Sequence, residues 1–267
     1  LYTIGYVNNT IFTKISNLIH FREFTRKTYR ETTETELHFF IVHLQNKELH
    51  SSTIQHYYSS IEQFFVYLER VQVITRNPCN YYELHLIKQP KKARDIVSEE
   101  EVHQLYTNAV TRNEKMILHL CYGCGLRAKE LERINSEAIL VHQQCIKVVK
   151  GKNNQHRIVP IPQRLVVDFI GYLTYREQQQ TNSKALLLNK NGNRLKAYSA
   201  RSILQGILKR TGITKTITLH SLRHSIATHL LANGMKAESV QQFLGHKQLE
   251  TTETYTRIRK YQLKQLK

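Results

Sequence analysis

Aspartate is nearly missing from this chain: Asp95 and Asp168 are the only two in 267 residues. Two-metal nucleases and transposases hold their ions with clustered carboxylates, so that chemistry is disfavoured from the start. Cysteine is scarce and scattered, at 79, 121, 124 and 145. Cys121 and Cys124 form a C-x-x-C, but neither a second pair nor a Cys/His cluster completes a zinc site. Both lie in an apolar stretch, Met116 to Cys124, and are read as packed, reduced thiols of a cytoplasmic protein. The chain lacks an apolar run long enough to span a bilayer. Leu1 to Thr10 lack the charged start and apolar stretch of a secretion signal, and the missing initiator Met suggests that residues precede Leu1.

What is present in excess is positive charge. Lys plus Arg is 39 against 21 Asp plus Glu, a net of +18. The excess is uneven: residues 1–90 hold 9 basic and 8 acidic side chains, and residues 91–267 hold 30 and 13. A positive field concentrated in one part favours a polyanion, with DNA or RNA the obvious partner. A basic ribosomal-type protein is the bland alternative that composition leaves open. With 40% hydrophobic residues the chain can build a real core, in one or two domains.

The expected fold is mainly α with a small β-sheet. Ile11, Ile15, Leu18, Ile19 and Phe24 suggest a first amphipathic helix. Thr33 and Glu36 form a capping box that opens a second, with Leu37, Phe40, Ile41 and Leu44 at helical spacing. Ser52 or Thr53 opens a third, whose stripe runs from Ile54 to Leu68, and Asn77-Pro78 stops the pattern. These elements predict a small helical bundle over residues 1–88. Residues 89–96 are basic and proline-containing and read as a linker, in which Lys91, Lys92 and Arg94 are candidate phosphate contacts. Residues 97–267 form the second domain. Ser98 and Glu101 open a helix, and Cys145–Lys150 and His156–Ile161 read as a hairpin with Gly151-Lys152-Asn153-Asn154 at its tip. Further helices are predicted near 163–178, 198–210, 221–233, 237–244 and from 250 to the end.

Four segments of this second domain belong together: GLRAKEL at 125–131, VKGKNNQHRIVPI at 149–161, TLHSLRHSIATHLL at 218–231, and FLGHKQLETTETYT at 243–256. Each is weak alone. In this order, ending in a tyrosine nine residues after Leu-Gly-His, they resemble the tyrosine recombinase family, the phage-type integrases. The resemblance is close from about 96 to 260 and loose over the first domain, where the family carries a helical core-binding (SAM-like) domain.

Breaking a phosphodiester without a metal requires a nucleophile, cations on the phosphoryl oxygens and a proton for the leaving oxygen. The resemblance assigns these tasks. Tyr255 is the nucleophile, and a phenol of ordinary pKa about 10 needs positive surroundings or a base. Tyr261 is the competing tyrosine. Arg127 and Arg223 match the two phosphate-clamping arginines, whose always-charged forks suit phosphate. His220, three residues before Arg223 on one helix face, matches a position that assists proton movement at the tyrosine. His246 matches a position that bonds the phosphate, while His224 and His229 fall off the pattern and are read as structural. Lys152 matches the lysine that protonates the leaving 5′ oxygen. Here the sequence departs from the family's usual turn: Asn153 and Gln155 stand where a second Gly and a second Lys are usual, and Lys150 is the fallback. Glu130 matches an acidic residue that orients neighbouring groups.

The resemblance further implies a site-specific recombinase that cleaves and rejoins DNA through a 3′-phosphotyrosyl link, with neither metal nor other cofactor. It implies a homotetramer, or assembly with a related recombinase, on two double-stranded DNA sites, exchanging strands through a Holliday junction. The basic domain and the bundle would close around the duplex. The tail, with Leu263 and Leu266 as its apolar face, is expected to dock on a neighbouring protomer. A type IB topoisomerase and a catalytically dead DNA-binding protein are the rivals. Xer-type dimer resolution, integration or excision of a mobile element, and inversion all fit the same unit. The chain length, too short for an extra arm-type DNA-binding domain, favours a simple Xer-like or transposon enzyme.

Overall fold

In a computed structural model, residues 8–85, 95–149 and 156–244 are described. The chain folds as two compact units, Leu1–Lys92 and Ala93–Lys267.

The first unit is a bundle of α1 (Asn8–Thr25), α2 (Glu34–Asn46) and α3 (Ser51–Arg70). Phe21, Leu37, Phe40, Ile41, Leu44, Ile54, Ile61 and Phe65 form its core. Burying each such side chain contributes about 1.5–3 kcal/mol. The expected apolar face of α1 is only partly the buried one. Ile11 and Phe21 are buried, whereas Ile15 and Ile19 are exposed. At 100° per residue the two isoleucines lie to one side of the Ile11–Phe21 stripe. Asn17 takes the buried place on the other side, donating to Ser60 Oγ at 3.0 Å. The start of α3 also lies earlier than expected: the N-cap is His50, two residues before Ser52, its Nδ1 accepting from the Ser52 N–H at 3.2 Å.

The capping box of α2 forms as read. The Thr33 N–H donates to Glu36 Oε2 at 2.8 Å. Lys27 Nζ donates to Glu36 Oε1 at 2.5 Å. Hydrogen bonds from Lys27 and then Thr33 hold the Glu36 carboxyl down from 4.5 to about 2. A depressed carboxylate stabilises the fold above its unfolded pKa, and that stability drains away as pH falls through the folded value. The bundle should therefore lose stability between about pH 4.5 and 2, and Glu36→Gln should flatten that part of a melting-temperature profile. An unchanged slope in the variant would remove Glu36 from the account.

The second unit opens with α4 (Glu99–Thr107), capped by Ser98, whose N–H donates to Glu101 Oε2 at 2.8 Å. α5 (Arg112–Leu118) runs into a π-helical turn, His119–Gly123. From Met116 to Cys124 every residue is buried, as an all-round apolar helix requires. All four cysteines are buried free thiols, and burial pushes that of Cys124 up to about 12, far from the range of a reactive thiolate. Then come α6 (Ala128–Arg133) and a three-stranded antiparallel sheet in the order β1 (Ile139–Leu140), β2 (Cys145–Val149), β3 (His156–Pro160). The predicted hairpin is β2–β3, and β1 is an addition that two residues could not signal. α7 (Val166–Glu177), α8 (Ala197–Thr211), α9 (Leu219–Ala232) and α10 (Ala237–Leu244) follow. α9 is the central helix, buried without a break from Ser221 to His229. Two of its buried polar residues meet partners from other segments: Ser225 Oγ accepts from the Val97 N–H at 2.8 Å, and His229 Nδ1 lies 2.8 Å from the Tyr122 hydroxyl. No helix among the described residues is long and apolar enough to cross a membrane.

Candidate active site

The site starts from a backbone break. The π-turn ends at Gly123, and two residues on stands Gly125, whose φ of +59° is the left-handed region that favours glycine. A Cβ there would lie 3.0 Å from both Leu244 and Phe243 side chains, so the missing side chain also lets α10 approach. The chain then turns to extended at Arg127, the N-cap of α6. Arg127 is thereby placed at the mouth of the break, two-fifths of its side chain exposed.

Glu130 lies three residues on, in the first turn of α6, and its carboxylate joins three arginines. The Arg127 backbone N–H donates to Oε2 at 2.8 Å and Arg127 Nη1 to Oε1 at 2.9 Å. Arg157 Nη2, from β3, donates to Oε2 at 2.8 Å. Arg223 Nη1, from α9, stands 3.9 Å from Oε2. Burial alone would raise the Glu130 pKa; hydrogen bonds and charge from Arg157, then the Arg127 N–H and charge, overcome it and hold the carboxyl below its ordinary value. Glu130 is thus an anion at neutral pH inside a cluster of fixed cations.

Arg223 is only 2% exposed. Its Nη1 donates to the Gly125 carbonyl and its Nη2 to that of Leu244 at 2.5 Å. Arg157 Nη1 takes the preceding carbonyl, Phe243, at 2.8 Å. Two guanidinium groups therefore hold two consecutive carbonyls at the C-terminal end of α10, where orphan acceptors call for donors. The other end of α6 is fixed by Arg194, whose Nη1 donates to the Glu132 carbonyl at 2.8 Å and to that of Ile134 at 3.2 Å.

Of the expected site residues, the structure brings Arg127, Glu130 and Arg223 together. His220 is on α9 with Arg223 and is exposed, in a first turn whose Leu219 and Ser221 are buried, whereas Arg223 is buried. His224 and His229 are buried. Lys152, His246, Tyr255, Lys150 and Tyr261 lie outside the described residues, as do Lys91, Lys92, Arg94 and the tail. Arg157 was not singled out by the sequence reading. A signal existed: Val159 and Ile161 alternate with Pro160 and Pro162, which puts Arg157 on the inward face of β3. The pairing follows that face, Val148 opposite Arg157 and Ile146 opposite Val159, with Lys147 and Ile158 outward.

Comparison with known proteins gives a consistent picture. The model of the phage integrase family matches residues 95–262. Tyrosine recombinase XerD of Oceanobacillus iheyensis is 32% identical over 98% of this chain and 92% of its own. Tyrosine recombinase XerC of Listeria monocytogenes is 30% identical over 97% of this chain and 90% of its own. Among solved structures, the Tn1549 transposon integrase in complex with circular intermediate DNA matches with a TM-score of 0.78 at 16% identity, covering 94% of this chain and 90% of that one. A lambda integrase dimer bound to a core site matches with a TM-score of 0.76 at 15% identity, over 95% of this chain and 73% of that one.

Proposed function

The chain belongs to the phage integrase family and is a tyrosine site-specific recombinase, and from that premise we propose how its own residues cut and rejoin DNA. The Tyr255 hydroxyl oxygen attacks the scissile phosphorus, forming a 3′-phosphotyrosyl bond as the bond to the 5′ oxygen breaks. His220 assists removal of the phenolic proton. Lys152 delivers a proton to the leaving 5′ oxygen, and His246 hydrogen-bonds a phosphoryl oxygen. Arg127 and Arg223 carry the charge that develops on the phosphate, usually the largest catalytic contribution. Religation is the reverse step with another 5′ hydroxyl as nucleophile. The covalent link conserves the phosphodiester energy, so no external energy source is consumed.

The observation that carries this reading is the convergence of Arg127 and Arg223, from segments far apart in sequence, on the Glu130 carboxylate, at 2.9 and 3.9 Å. A largely covered acid beside two guanidinium groups, leaving part of Arg127 exposed, makes a preorganised anion site.

The partner is double-stranded DNA, held through phosphate contacts that include Lys91, Lys92 and Arg94, as the +17 of residues 91–267 favours. Four copies assemble on two sites, in a cytoplasm that keeps the thiols reduced. The test is covalent capture: the protein is incubated with a library of randomised duplexes carrying a nick beside the cleavage point, and adducts resistant to SDS are isolated. Wild type should yield them, and the enriched sequences would distinguish dimer resolution from movement or inversion of an element. Absence of any adduct across the library would sink the proposal.

A further inference from the structure

Arg157 is the member of the cluster to which the recombinase pattern gives no task. Its side chain is 6% exposed, a costly place for a charge without compensation. One carboxylate bond suffices for charge. The structure gives it more: Nη2 on Glu130 and Nη1 on the Phe243 carbonyl, both at 2.8 Å. Those two acceptors belong to different parts of the site. Glu130 orients Arg127, and Phe243 is the penultimate residue of α10, after which the chain continues to His246 and Tyr255. Arg157 itself follows the hairpin tip that contains Lys152. One planar fork thus ties together the three segments on which the proposed groups are carried.

We propose that Arg157 is a positioning residue for strand cleavage, holding the end of α10 at a fixed height against the Glu130 carboxylate by bridging it to the Phe243 carbonyl. The inference rests on the cleavage reading above. Arg223 grips the next carbonyl, Leu244, but from α9. Arg157 adds the constraint from the sheet, so that hairpin and α10 move as one. Its contribution is geometric: loss of the bridge leaves DNA contacts in place and misplaces the reacting groups, and a displacement of about 1 Å can cost about 100-fold in rate.

The test uses the full chain and a nicked duplex recovered from the wild-type adducts, under single-turnover conditions. Arg157→Met should lower the saturating cleavage rate at least about tenfold while the half-saturating DNA concentration stays within about threefold. Arg157→Lys should remain impaired, because one ammonium cannot span both acceptors as a fork does. Glu130→Gln combined with Arg157→Met should be slower than the slower single variant by less than the product of the two effects, since both act through one contact. Arg157→Met cleaving at the wild-type rate would overturn the proposal. Full activity of Arg157→Lys would overturn the bridge in favour of charge alone, and that variant decides the matter if Arg157→Met does not fold. Wild type without any adduct would instead defeat the cleavage reading, and this proposal with it.

Discussion

Replacing Tyr255 by phenylalanine should eliminate the SDS-resistant protein–DNA adduct, to below about one part in 10³ of wild type, while leaving DNA affinity within about twofold. The argument is chemical. The phenolic oxygen becomes one of the four substituents on phosphorus, and a ring without it has nothing to donate. The arginine cluster, which supplies the phosphate contacts in this reading, is untouched by the change, so binding should persist. A hydroxyl that makes one ordinary hydrogen bond contributes about 1 kcal/mol to stability, too little to unfold the domain. Gel analysis of wild type and variant on the same nicked duplex, beside a binding assay, separates the outcomes. An adduct that persists would transfer the nucleophile elsewhere, with Tyr261 as the first residue to replace.

Arg223 should show the second large effect, and through two routes at once. Substitution by methionine removes donors from the carbonyls of Gly125 and Leu244 and a cation from beside Glu130. A buried acceptor left without its donor costs about 1–3 kcal/mol. Arg223→Met should therefore lower the unfolding free energy by roughly 2–5 kcal/mol, read from denaturant titration. Strand cleavage should fall at least about 10²–10³-fold, the usual effect of deleting one fixed donor to a developing oxyanion. Lysine separates the two routes. It keeps the charge and much of the packing, so Arg223→Lys should regain part of the stability. It lacks the fork, so cleavage should stay more than about tenfold below wild type. Wild-type cleavage by Arg223→Lys would show that the buried guanidinium serves the fold alone.

Cations beside a shared carboxylate explain why the cluster tolerates burial. Three guanidinium groups around one carboxylate leave an excess of positive charge of which only Arg127 reaches the surface, a poor arrangement for stability alone. Protein carbonyls neutralise part of the cost: Gly125, Phe243 and Leu244 each accept from it. The remainder is what a phosphate would satisfy.

Much of the molecule was written in local sequence. Thr33–Glu36 and Ser98–Glu101 announced helix starts because a capping box needs only four consecutive residues. The β2–β3 hairpin followed from two Val/Ile runs around a polar turn. The order of four motifs carries the likeness to the phage integrase family. Other features depended on partners that no window of sequence contains. Which side of α1 is buried, with Ile15 and Ile19 outward and Asn17 inward, was decided by α3, whose Ser60 receives the Asn17 amide. Arg157 is the sharper case: the alternation of β3 puts it on the inward face, but nothing local says that a charge can be kept there. It stays inward because Glu130 and the Phe243 carbonyl, from distant elements, meet it there. A short-range pattern governs how backbone donors and acceptors pair within a turn or a ladder, so sequence alone set the elements and the chemistry they bear. Burying a charge is favourable only when its counter-groups arrive from elsewhere, and only the tertiary fold decides that.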